Sequence, residues 1–408
     1  MLNANSFYLF LLKSFESLSS LHPKALPKMN LEDYRKRIDS IDDDILKLFL
    51  QRMEVAGEIA KFKKEQHLAI GHPAREREII IRLARAAGPE FASYVQMLYG
   101  TLFDVSRAHQ HQLNSESGEL SSHLKEAWDA SFNKTLPSLA SVACQVTEGA
   151  YSGLAAGRCF QLPDITWFRN FEGVAQAVKK GLCDYGILPV ENSTYGTVNP
   201  VYDLMQQHRF YIVRSIRLHV QHSLLALPGV KMNDIREIVS HQQAIGQCDR
   251  FLSGLSNVKV TPVANTAVAA DLVATSGRRD LAAICSHDCG RLYNLETLQE
   301  SIQDNGNNYT RFICITKDLT ILPGACRISL VMSLPHRPGS LYSVIAKFAA
   351  LGLNLLKLES RPVSGSDFEF RFYFDLAATE CSPAVLNLMN ELEHELEDFT
   401  FLGWYSEA

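Results

Sequence analysis

The pattern of hydrophobic and polar positions divides the chain into regions with different periods. Between Leu31 and Glu65 apolar residues recur at the three- and four-residue spacing of an amphipathic helix, and no proline interrupts them. At about 1.5 Å per residue this helix is roughly 50 Å long, which is too long for a compact monomeric domain of this size. The pattern therefore predicts a long helix that packs against a helix of a second chain. The apolar positions are Ile38, Ile41, Ile45, Leu48, Val55 and Ile59.

Two further helices are predicted before the pattern changes. The second begins near His72–Arg77, and Gly88-Pro89 separates it from a third that runs from Phe91 through Gln112. Residues 29–113 are thus predicted to be an all-helical bundle. Residues 1–28 hold one short apolar run and two prolines, so we predict a disordered extension, with Met29 as an alternative start.

The period becomes that of an α/β protein from Ser138 onward. Short apolar runs alternate with helical stretches, which favours a mainly parallel sheet over residues 137–318. Polar residues repeatedly follow the predicted strands, at the edge where open α/β sheets bind ligands. These residues are Glu191, Asn192, Ser193, Ser240, Gln247 and the pentapeptide Asn308–Phe312. The intervening segment 114–136 is polar with a short helical patch, and is predicted to be a linker that caps the bundle.

The last region, residues 326–405, is predicted to be an α+β domain of order βαββαβ. A strand from Arg327 is followed by a helix that Pro338–Leu341 opens, and a second strand ends near Arg361. Phenylalanine then alternates with polar residues from Phe368 to Asp375, the pattern of a half-buried strand. The chain is therefore predicted to be a multidomain protein.

Composition narrows the classes of function. The net charge is -5 and no basic block stands out, which argues against a nucleic-acid partner. No run of eighteen apolar residues is present, so no membrane span is expected. The nine cysteines are scattered and odd in number, which favours a reducing cytoplasm. Cys285 and Cys289 have no second ligand cluster beside them, so no metal site is expected.

Two cations of the first helix lie on its apolar face. Arg52 and Lys63 are eleven residues apart, which at about 100° per residue leaves them only about 20° apart around the axis. Unpaired charges on such a face are costly. A bound dianion would compensate them. The alternatives are that both side chains reach water at the edge of the stripe, or that they pair with an acid on another helix.

The whole of Leu31–Gln112 resembles the all-helical chorismate mutase family. The matching residues are Arg35, Arg52, Lys63, Arg75, Glu76, Ser106 and Gln110. The resemblance implies that Arg52, with Arg35 of the partner subunit, binds the two carboxylates of chorismate. It implies that Lys63 and Gln110 contact the ether oxygen whose bond breaks, and that Glu76 binds the ring hydroxyl. The rearrangement is pericyclic and requires no cofactor.

The order of motifs in residues 137–318, which ends in Asn308–Phe312, resembles prephenate dehydratase. The resemblance implies two lobes around a cleft, like periplasmic binding proteins. Thr310 would donate a hydrogen bond to the departing hydroxyl, with Glu191 or a water nearby, and Arg311 would either bind a substrate carboxylate or order the loop. The remaining expected substrate contacts are Asn192, Ser193, Ser240 and Gln247.

The last region resembles the ACT domain. Its phenylalanine-binding motifs correspond to Pro338-Gly339-Ser340-Leu341 and to Glu359-Ser360, which implies allosteric binding of phenylalanine between two copies of the domain. The alternative is a dimerisation module alone.

These resemblances together predict a cytoplasmic, bifunctional enzyme of phenylalanine biosynthesis that forms a homodimer or a higher homo-oligomer. It would convert chorismate to prephenate and prephenate to phenylpyruvate, under feedback by phenylalanine. One alternative keeps the enzyme but gives its second site arogenate as substrate. Another is a non-catalytic sensor of an aromatic acid or amino acid, against which Thr310 argues together with Arg52, Lys63 and Gln110.

Overall fold

A computed structural model describes residues 30–66, 68, 72–114, 118–145, 148–336, 338–362, 370–396 and 398–408. The extension predicted for residues 1–28 lies outside these ranges. The chain divides into two compact units between residues 115 and 116. Every helix in the described residues is too short or too polar to span a lipid bilayer.

The first unit consists of α1 (Leu31–Glu65) and α2 (Pro73–Asn114). Asn30 caps α1, because its side chain accepts from the Asp33 N–H while the Asp33 carboxylate accepts from the Asn30 N–H. Gly88 interrupts α2 with a φ of 78° and a ψ of 168°, immediately before Pro89. The segments on either side of this interruption are the second and third helices that the sequence predicted.

The face of α1 that packs within the unit is formed by small residues. Ala56, Gly57 and Ala60 are buried, and a Cβ on Gly57 would lie 3.2 Å from Leu113 Cδ1. The predicted apolar stripe is exposed instead, since its members are between 43% and 64% accessible. A long amphipathic helix is therefore confirmed, but its apolar stripe does not pack within this chain.

The second unit contains two α/β lobes and a C-terminal subdomain. The first lobe comprises β1 (Leu139–Gln145), α4 (Tyr151–Cys159), β2 (Leu162–Phe168), α5 (Phe171–Lys179), β3 (Tyr185–Asn192), β4 (Gly196–Thr197), α6 (Asn199–Gln207), β5 (Tyr211–His219) and β11 (Tyr309–Thr316). Helix α3 (Glu119–Ser131) precedes both lobes in the chain. The second lobe comprises β6 (Ser223–Ala226), β7 (Glu237–His241), α7 (Gln242–Gly246), α8 (Asp249–Ser253), β8 (Lys259–Val263), α9 (Thr266–Ser276), β9 (Leu281–Cys285), α10 (Asp288–Tyr293) and β10 (Glu296–Gln299).

Two segments of the chain connect the lobes. One leaves the first lobe after β5, and the other returns to it before β11. The sheets are mixed rather than mainly parallel: β1 pairs in parallel with β2 and β3, whereas β11 runs antiparallel to both β3 and β5. The return of the chain from the second lobe inserts β11 between β3 and β5. This insertion brings the Asn308–Phe312 pentapeptide beside the end of β3.

The C-terminal subdomain comprises β12 (Arg327–Ser333), α11 (Ser340–Ala350), β13 (Leu355–Pro362), β14 (Phe370–Ala377), α12 (Pro383–Glu395) and β15 (Phe399–Glu407). Its order is βαββαβ, as the sequence predicted. The end of β15 pairs in parallel with β5 of the first lobe, which joins both sheets into one. Gly403 permits this contact, because a Cβ there would lie 2.3 Å from the Ile212 carbonyl oxygen.

Helix α3 belongs to the core of this subdomain. The Trp128 ring lies 4.5 Å from the Trp404 ring between centroids, and Leu124 is fully buried. The side chain of Asn390 in α12 accepts from the Ser121 N–H at 3.2 Å. The interpretation of residues 114–136 as a polar linker that caps the helical bundle is therefore wrong for α3, whose apolar face packs on the C-terminal subdomain.

Candidate active sites

In the first unit, Arg52 extends from the middle of α1 toward α2. Its guanidinium donates to the Leu102 carbonyl at 3.1 Å and to the Ser106 hydroxyl, and lies 5.4 Å from the centre of the Phe103 ring. Burial lowers the pKa of Arg52 from its ordinary value. The hydrogen-bond partners of this half-buried cation are neutral, so a negative charge beside it would be stabilised.

Ser106 and Gln110 occupy the same face of α2, one turn apart. They are 6% and 8% exposed, and the Gln110 Oε1 atom has no hydrogen-bond partner among the described residues. Buried amide oxygens without a partner are rare in folded proteins. Lys63 is half-buried on the same side of α1 as Arg52. The arrangement of these four side chains is that of a polar site in an otherwise apolar helix interface.

Glu76 has a partner that the sequence did not predict. Its carboxylate lies 2.6 Å from Arg107, and both side chains are 26% exposed. Asp104 also pairs with Arg107, at the i,i+3 spacing that could have identified the pair in the sequence. Arg75 instead pairs with Glu78 at 2.8 Å with both side chains largely exposed. Arg35 is likewise exposed on the outer face of α1, near Glu32.

The first lobe places Thr310 opposite Asn192 in the β11–β3 pairing. The Asn192 Nδ2 atom donates to Thr310 Oγ1 and to Asn308 Oδ1, both at 2.9 Å. The Asn192 Oδ1 atom accepts from the backbone N–H groups of Thr194 and Tyr195. These two bonds fix the orientation of the amide. Since the Thr310 oxygen is the acceptor, its own proton is directed to a different partner.

Ser193 organises the loop beside this pair. Its hydroxyl donates to the Asn307 carbonyl at 2.8 Å and accepts from the Tyr309 N–H at 2.9 Å. The Tyr309 ring stacks on His219 with 4.7 Å between centroids. Ser193 was expected to contact substrate, but both functions of its hydroxyl are used within the loop.

The second lobe contributes a buried histidine that sequence reasoning missed. His222 is 2% exposed, and its Nε2 atom lies 2.7 Å from Gln247 Oε1, which is consistent with donation by the ring. Burial lowers the pKa of His222. Ser240 is fully buried and donates to the Ile284 carbonyl at 2.6 Å. The expectation that Ser240 contacts substrate is therefore wrong for its hydroxyl, which holds β7 against β9.

Arg311 is directed away from Thr310. Side chains alternate along a strand, so Thr310 and Arg311 lie on opposite faces of β11. Arg311 is 8% exposed and pairs with Asp375 of the C-terminal subdomain at 2.8 Å and with Glu191 at 3.4 Å. Burial lowers the pKa of Arg311, but Asp375 together with Tyr405, Tyr202 and Glu191 outweighs burial and leaves that pKa raised. Of the two roles predicted for Arg311, its burial against Asp375 favours the structural one over binding of a substrate carboxylate. Glu191 pairs with Arg311 and Lys357 and is 41% exposed, so its contact with substrate stays a prediction.

The C-terminal subdomain contains a cavity of about 340 Å³. It is lined by Leu334, Pro335, His336, Pro338, Ser340, Leu341, Phe370 and Phe372. The Ser340 hydroxyl is buried and has no hydrogen-bond partner among the described residues. Gly339 precedes it at a φ of 90°, a conformation that favours glycine.

The two residues of the second predicted motif in this subdomain separate. Ser360 pairs across the strands with Phe372, a lining residue of the cavity. The Glu359 carboxylate points the other way and accepts from the Thr197 hydroxyl at 2.9 Å. The alternation of β13 therefore removes the Glu359 side chain from the predicted phenylalanine site.

The fold and sites define a multidomain protein whose helical unit and two-lobed α/β domain each hold a polar site for a small molecule. A family model for prephenate dehydratase matches residues 142–320, and one for chorismate mutase type II matches residues 34–111. Arogenate dehydratase/prephenate dehydratase 1, chloroplastic, of Arabidopsis thaliana is 36% identical over 65% of this chain and 71% of that protein. The bifunctional chorismate mutase/prephenate dehydratase of Escherichia coli is 28% identical over 91% of this chain and 95% of that protein.

Among solved structures, prephenate dehydratase from Arthrobacter aurescens in complex with L-Phe is similar. It has a TM-score of 0.60 and 26% identity, over 65% of this chain and 90% of that one. The chain belongs to the prephenate dehydratase family and carries a chorismate mutase domain in front of the dehydratase. It rearranges chorismate to prephenate and converts prephenate to phenylpyruvate, a route of phenylalanine biosynthesis. This relationship sets aside the alternative of a non-catalytic sensor.

Proposed function

We propose that the mutase reaction occurs at the polar site of the helical unit, with Arg52 binding one carboxylate of chorismate. Lys63 and Gln110 donate to the ether oxygen, on which negative charge develops as its bond breaks. The amide of Gln110 must then present Nε2 to the substrate, because its Oε1 can only accept. That buried oxygen, which has no partner among the described residues, is left to accept from a donor of the bound ligand. Ser106 orients Arg52, and Glu76 accepts from the ring hydroxyl while its ion pair with Arg107 holds the carboxylate in place.

The helical unit acts as a dimer in this proposal. The apolar stripe of α1 is exposed along its length, which a second copy of α1 would cover. Arg35 projects from the exposed outer face of α1, and Arg35 of the partner subunit would complete the dianion site. Arg75, which is exposed and pairs with Glu78, is the remaining cation proposed to contact chorismate. The proposed domain limits are 29–113 for the mutase, 137–318 for the dehydratase and 326–405 for the regulatory domain.

Thr310 is the residue proposed to assist departure of the ring hydroxyl in the dehydratase reaction. The bond from the ring to its carboxylate breaks and releases CO2, while the electron pair of that bond enters the ring. The ring hydroxyl leaves as water with a proton supplied by solvent. Thr310 donates a hydrogen bond to that leaving oxygen. The single observation that carries this role is the Asn192 amide, which donates to Thr310 Oγ1 and leaves the threonine proton for substrate. Gln247, held by His222, is the remaining candidate contact from the second lobe.

The C-terminal subdomain is proposed to be an ACT domain that binds phenylalanine. The cavity lined by Ser340, Leu341 and Phe372 is of the size of an aromatic amino acid, and it offers an unpartnered hydroxyl beside apolar rings. The related protein from Arthrobacter aurescens was solved with L-Phe. Pro338 lines this cavity, Gly339 is next to it in the chain, and Ser360 pairs across the strands with the lining residue Phe372. A second copy of the subdomain would complete the site. The nine cysteines, all in described parts of the chain, are free thiols, which supports a reducing compartment such as the cytoplasm.

The dehydratase role is tested with Thr310→Ala and Thr310→Ser, assayed separately on chorismate and on prephenate. We expect Thr310→Ala to lower the dehydratase kcat by about 100-fold or more, as does the loss of a donor to a developing charge, and to leave mutase activity unchanged. Thr310→Ser keeps the hydroxyl and should retain most activity. Equal activity of the alanine and serine variants would contradict the hydrogen-bond role.

Kinetics of the unaltered chain distinguish prephenate from arogenate as the substrate of the second site. Arogenate differs from prephenate by an amino group in place of the side-chain keto group, which is remote from the leaving hydroxyl. Several curated relatives are named arogenate dehydratases. Comparison of kcat/KM for prephenate and arogenate with the unaltered chain decides between the two, and a higher value for arogenate would reverse the proposed preference.

A further inference from the structure

Charged side chains of β13 face the dehydratase lobe, while apolar ones face outward. Lys357, Glu359 and Arg361 are half-buried, whereas Leu356 and Leu358 between them are 44% and 37% exposed. This distribution is the reverse of the usual one for a strand with one covered face. Charges on a covered face destabilise a protein unless each finds a partner.

Each of these three side chains has its partner in the segment that runs from the end of β3 to α6. Lys357 lies 3.4 Å from Glu191, and Glu359 accepts from the Thr197 hydroxyl at 2.9 Å. Arg361 pairs with Asp203 of α6 at 2.9 Å. The charged face of β13 is therefore complementary to one stretch of the chain, from the end of β3 to α6.

Asp375 of the neighbouring strand β14 is the cross-strand partner of Lys357, so both side chains lie on the same face of the sheet. Its carboxylate lies 2.8 Å from Arg311 and 3.2 Å from Arg327, and it accepts from the Ser329 hydroxyl at 2.5 Å. The Arg311 and Asp375 side chains are only 9% and 10% exposed. Lys357, Glu191, Arg311 and Asp375 thus form a continuous chain of alternating charges that begins and ends in the C-terminal subdomain.

The Glu191–Arg311 pair, in the middle of this series of charges, is adjacent to the Asn192–Thr310 pair in the β3–β11 ladder. Arg311 is opposite Glu191, and Thr310 is opposite Asn192. The register shifts between Arg311 and Phe312, so the regular β3–β11 ladder stops immediately before these two rungs. A bulge loosens the local pairing. On its other side, β11 pairs with β5 in regular register at Thr310 and Arg311. On the β3 side, where the register shifts, side-chain contacts contribute to holding Thr310 at its distance from Asn192.

We propose that Asp375 and Lys357 are positioning residues of the dehydratase site, acting through Arg311 and Glu191 on Thr310 and Asn192. This inference rests on the proposed function of Thr310. A displacement of about 1 Å in a reacting group is enough to cost up to about 100-fold in rate. The C-terminal subdomain is then part of the dehydratase machinery in the absence of any effector.

The test compares Asp375→Asn with Asp398→Asn in the full chain. Asp398 is a matched control, because it also accepts from a serine hydroxyl and pairs with an arginine of the same subdomain. The partners of Asp398 are Ser333 and Arg371, neither of which belongs to the dehydratase lobe. We expect Asp375→Asn to lower the dehydratase kcat about tenfold, with a smaller change in KM, since Thr310 acts on the leaving group in the transition state. Mutase activity of the same molecule should be unchanged, as should both activities of Asp398→Asn.

A double-mutant cycle separates positioning from general destabilisation. If Asp375 acts through Arg311, then Asp375→Asn combined with Arg311→Gln should lose no more dehydratase activity than Arg311→Gln alone. Losses that multiply would overturn the proposal. Lys357→Gln provides a second variant should Asp375→Asn fail to fold, and we expect a smaller fall in dehydratase kcat because Glu191 is 41% exposed and partly solvated.

The outcomes are distinguishable from failure of the proposed function. Full dehydratase activity in Thr310→Ala would contradict the role of Thr310 itself. A large loss in Thr310→Ala, with Asp375→Asn and Lys357→Gln both indistinguishable from Asp398→Asn, would overturn only the positioning proposal. An equal fall of mutase and dehydratase activity in Asp375→Asn would also overturn it, since that pattern indicates loss of folded protein.

Discussion

Neighbouring residues of β11 serve different purposes because a strand directs alternate side chains to opposite faces. Thr310 is bonded to Asn192, whereas Arg311 is bonded to Asp375. The sequence predicted the importance of both residues from one motif. The sequence could not assign them different roles. The alternation of a strand places the two side chains on opposite faces but does not tell which face is buried by other residues. Arg311 was covered by a residue 64 positions away, and a pairing at that separation leaves no local signal.

His222 gives a pH prediction at the residue scale. Burial holds the pKa of His222 below its ordinary value of about 6.5, because a proton on Nδ1 would be buried without an acceptor. The neutral ring therefore contributes stability that is present above about pH 6.5 and is lost as the pH falls through the lowered pKa. Replacement by glutamine should remove this dependence.

The measurement is the melting temperature of the full chain and of His222→Gln between about pH 8 and pH 5. We expect the difference between the two proteins to shrink as the pH falls, since the unaltered chain loses the stability of neutral His222. His287→Gln is the control, because His287 is 60% exposed. A constant difference across this range would show that His222 does not titrate.

Lys63 provides the corresponding prediction for the mutase. Lys63→Met keeps the length and apolar stem of the side chain but removes its charge. The mutase kcat should fall by about 100-fold or more because a donor to the developing charge is lost. Dehydratase activity on supplied prephenate should be retained. A proportional loss of both activities, or a large fall in melting temperature, would instead indicate a structural role.

The helices show how far periodicity reaches at the scale of elements. The spacing of Ile38, Ile41 and Ile45 predicted α1, and Gly88-Pro89 predicted the break in α2, since both signals are local. Helix α3 was misread as a linker because its apolar positions are few. Its partner Trp404 lies far along the chain, and burial by a distant segment cannot be read from a short helical patch.

Gly57 tests the contact between α1 and α2. A Cβ there lies 3.2 Å from Leu113, so Gly57→Val should force the helices apart and destabilise the bundle by about 1–3 kcal/mol. The expected result is reduced mutase activity and a lower melting transition. Gly100→Ala in α2 is the matched control. A Cβ at Gly100 meets nothing within 4 Å, so this change should be neutral or stabilising by up to about 1 kcal/mol. Unchanged mutase activity and stability in Gly57→Val would contradict the close approach.

At the scale of the whole molecule, one sheet joins the first lobe of the second unit to the C-terminal subdomain, while the second lobe has its own sheet. β15 of the C-terminal subdomain pairs with β5 of the first lobe, and this pairing forms the joint between them. Ser329, Asp375 and Tyr405 form a buried hydrogen-bonded group beside it. Sequence motifs predicted two separate domains here because each has its own pattern. The joint depends on long-range pairing of the last residues, which carries no motif. The domains are therefore expected to communicate without a flexible linker between them.

Phenylalanine binding is the last test, and it addresses this communication. Ligand that binds only the folded chain raises the melting temperature, and a ligand at 100 times its Kd contributes about 2.7 kcal/mol. We expect phenylalanine to stabilise the full chain and to inhibit the dehydratase more than the mutase. Leu341→Trp fills the cavity of about 340 Å³ and should abolish heat of binding, thermal shift and inhibition, while dehydratase activity without phenylalanine persists. Tyr342→Trp is the control, because Tyr342 is 53% exposed and does not line the cavity. Calorimetry that detects no binding to the unaltered chain at millimolar phenylalanine, with no inhibition, would leave the C-terminal subdomain as a dimerisation and positioning module.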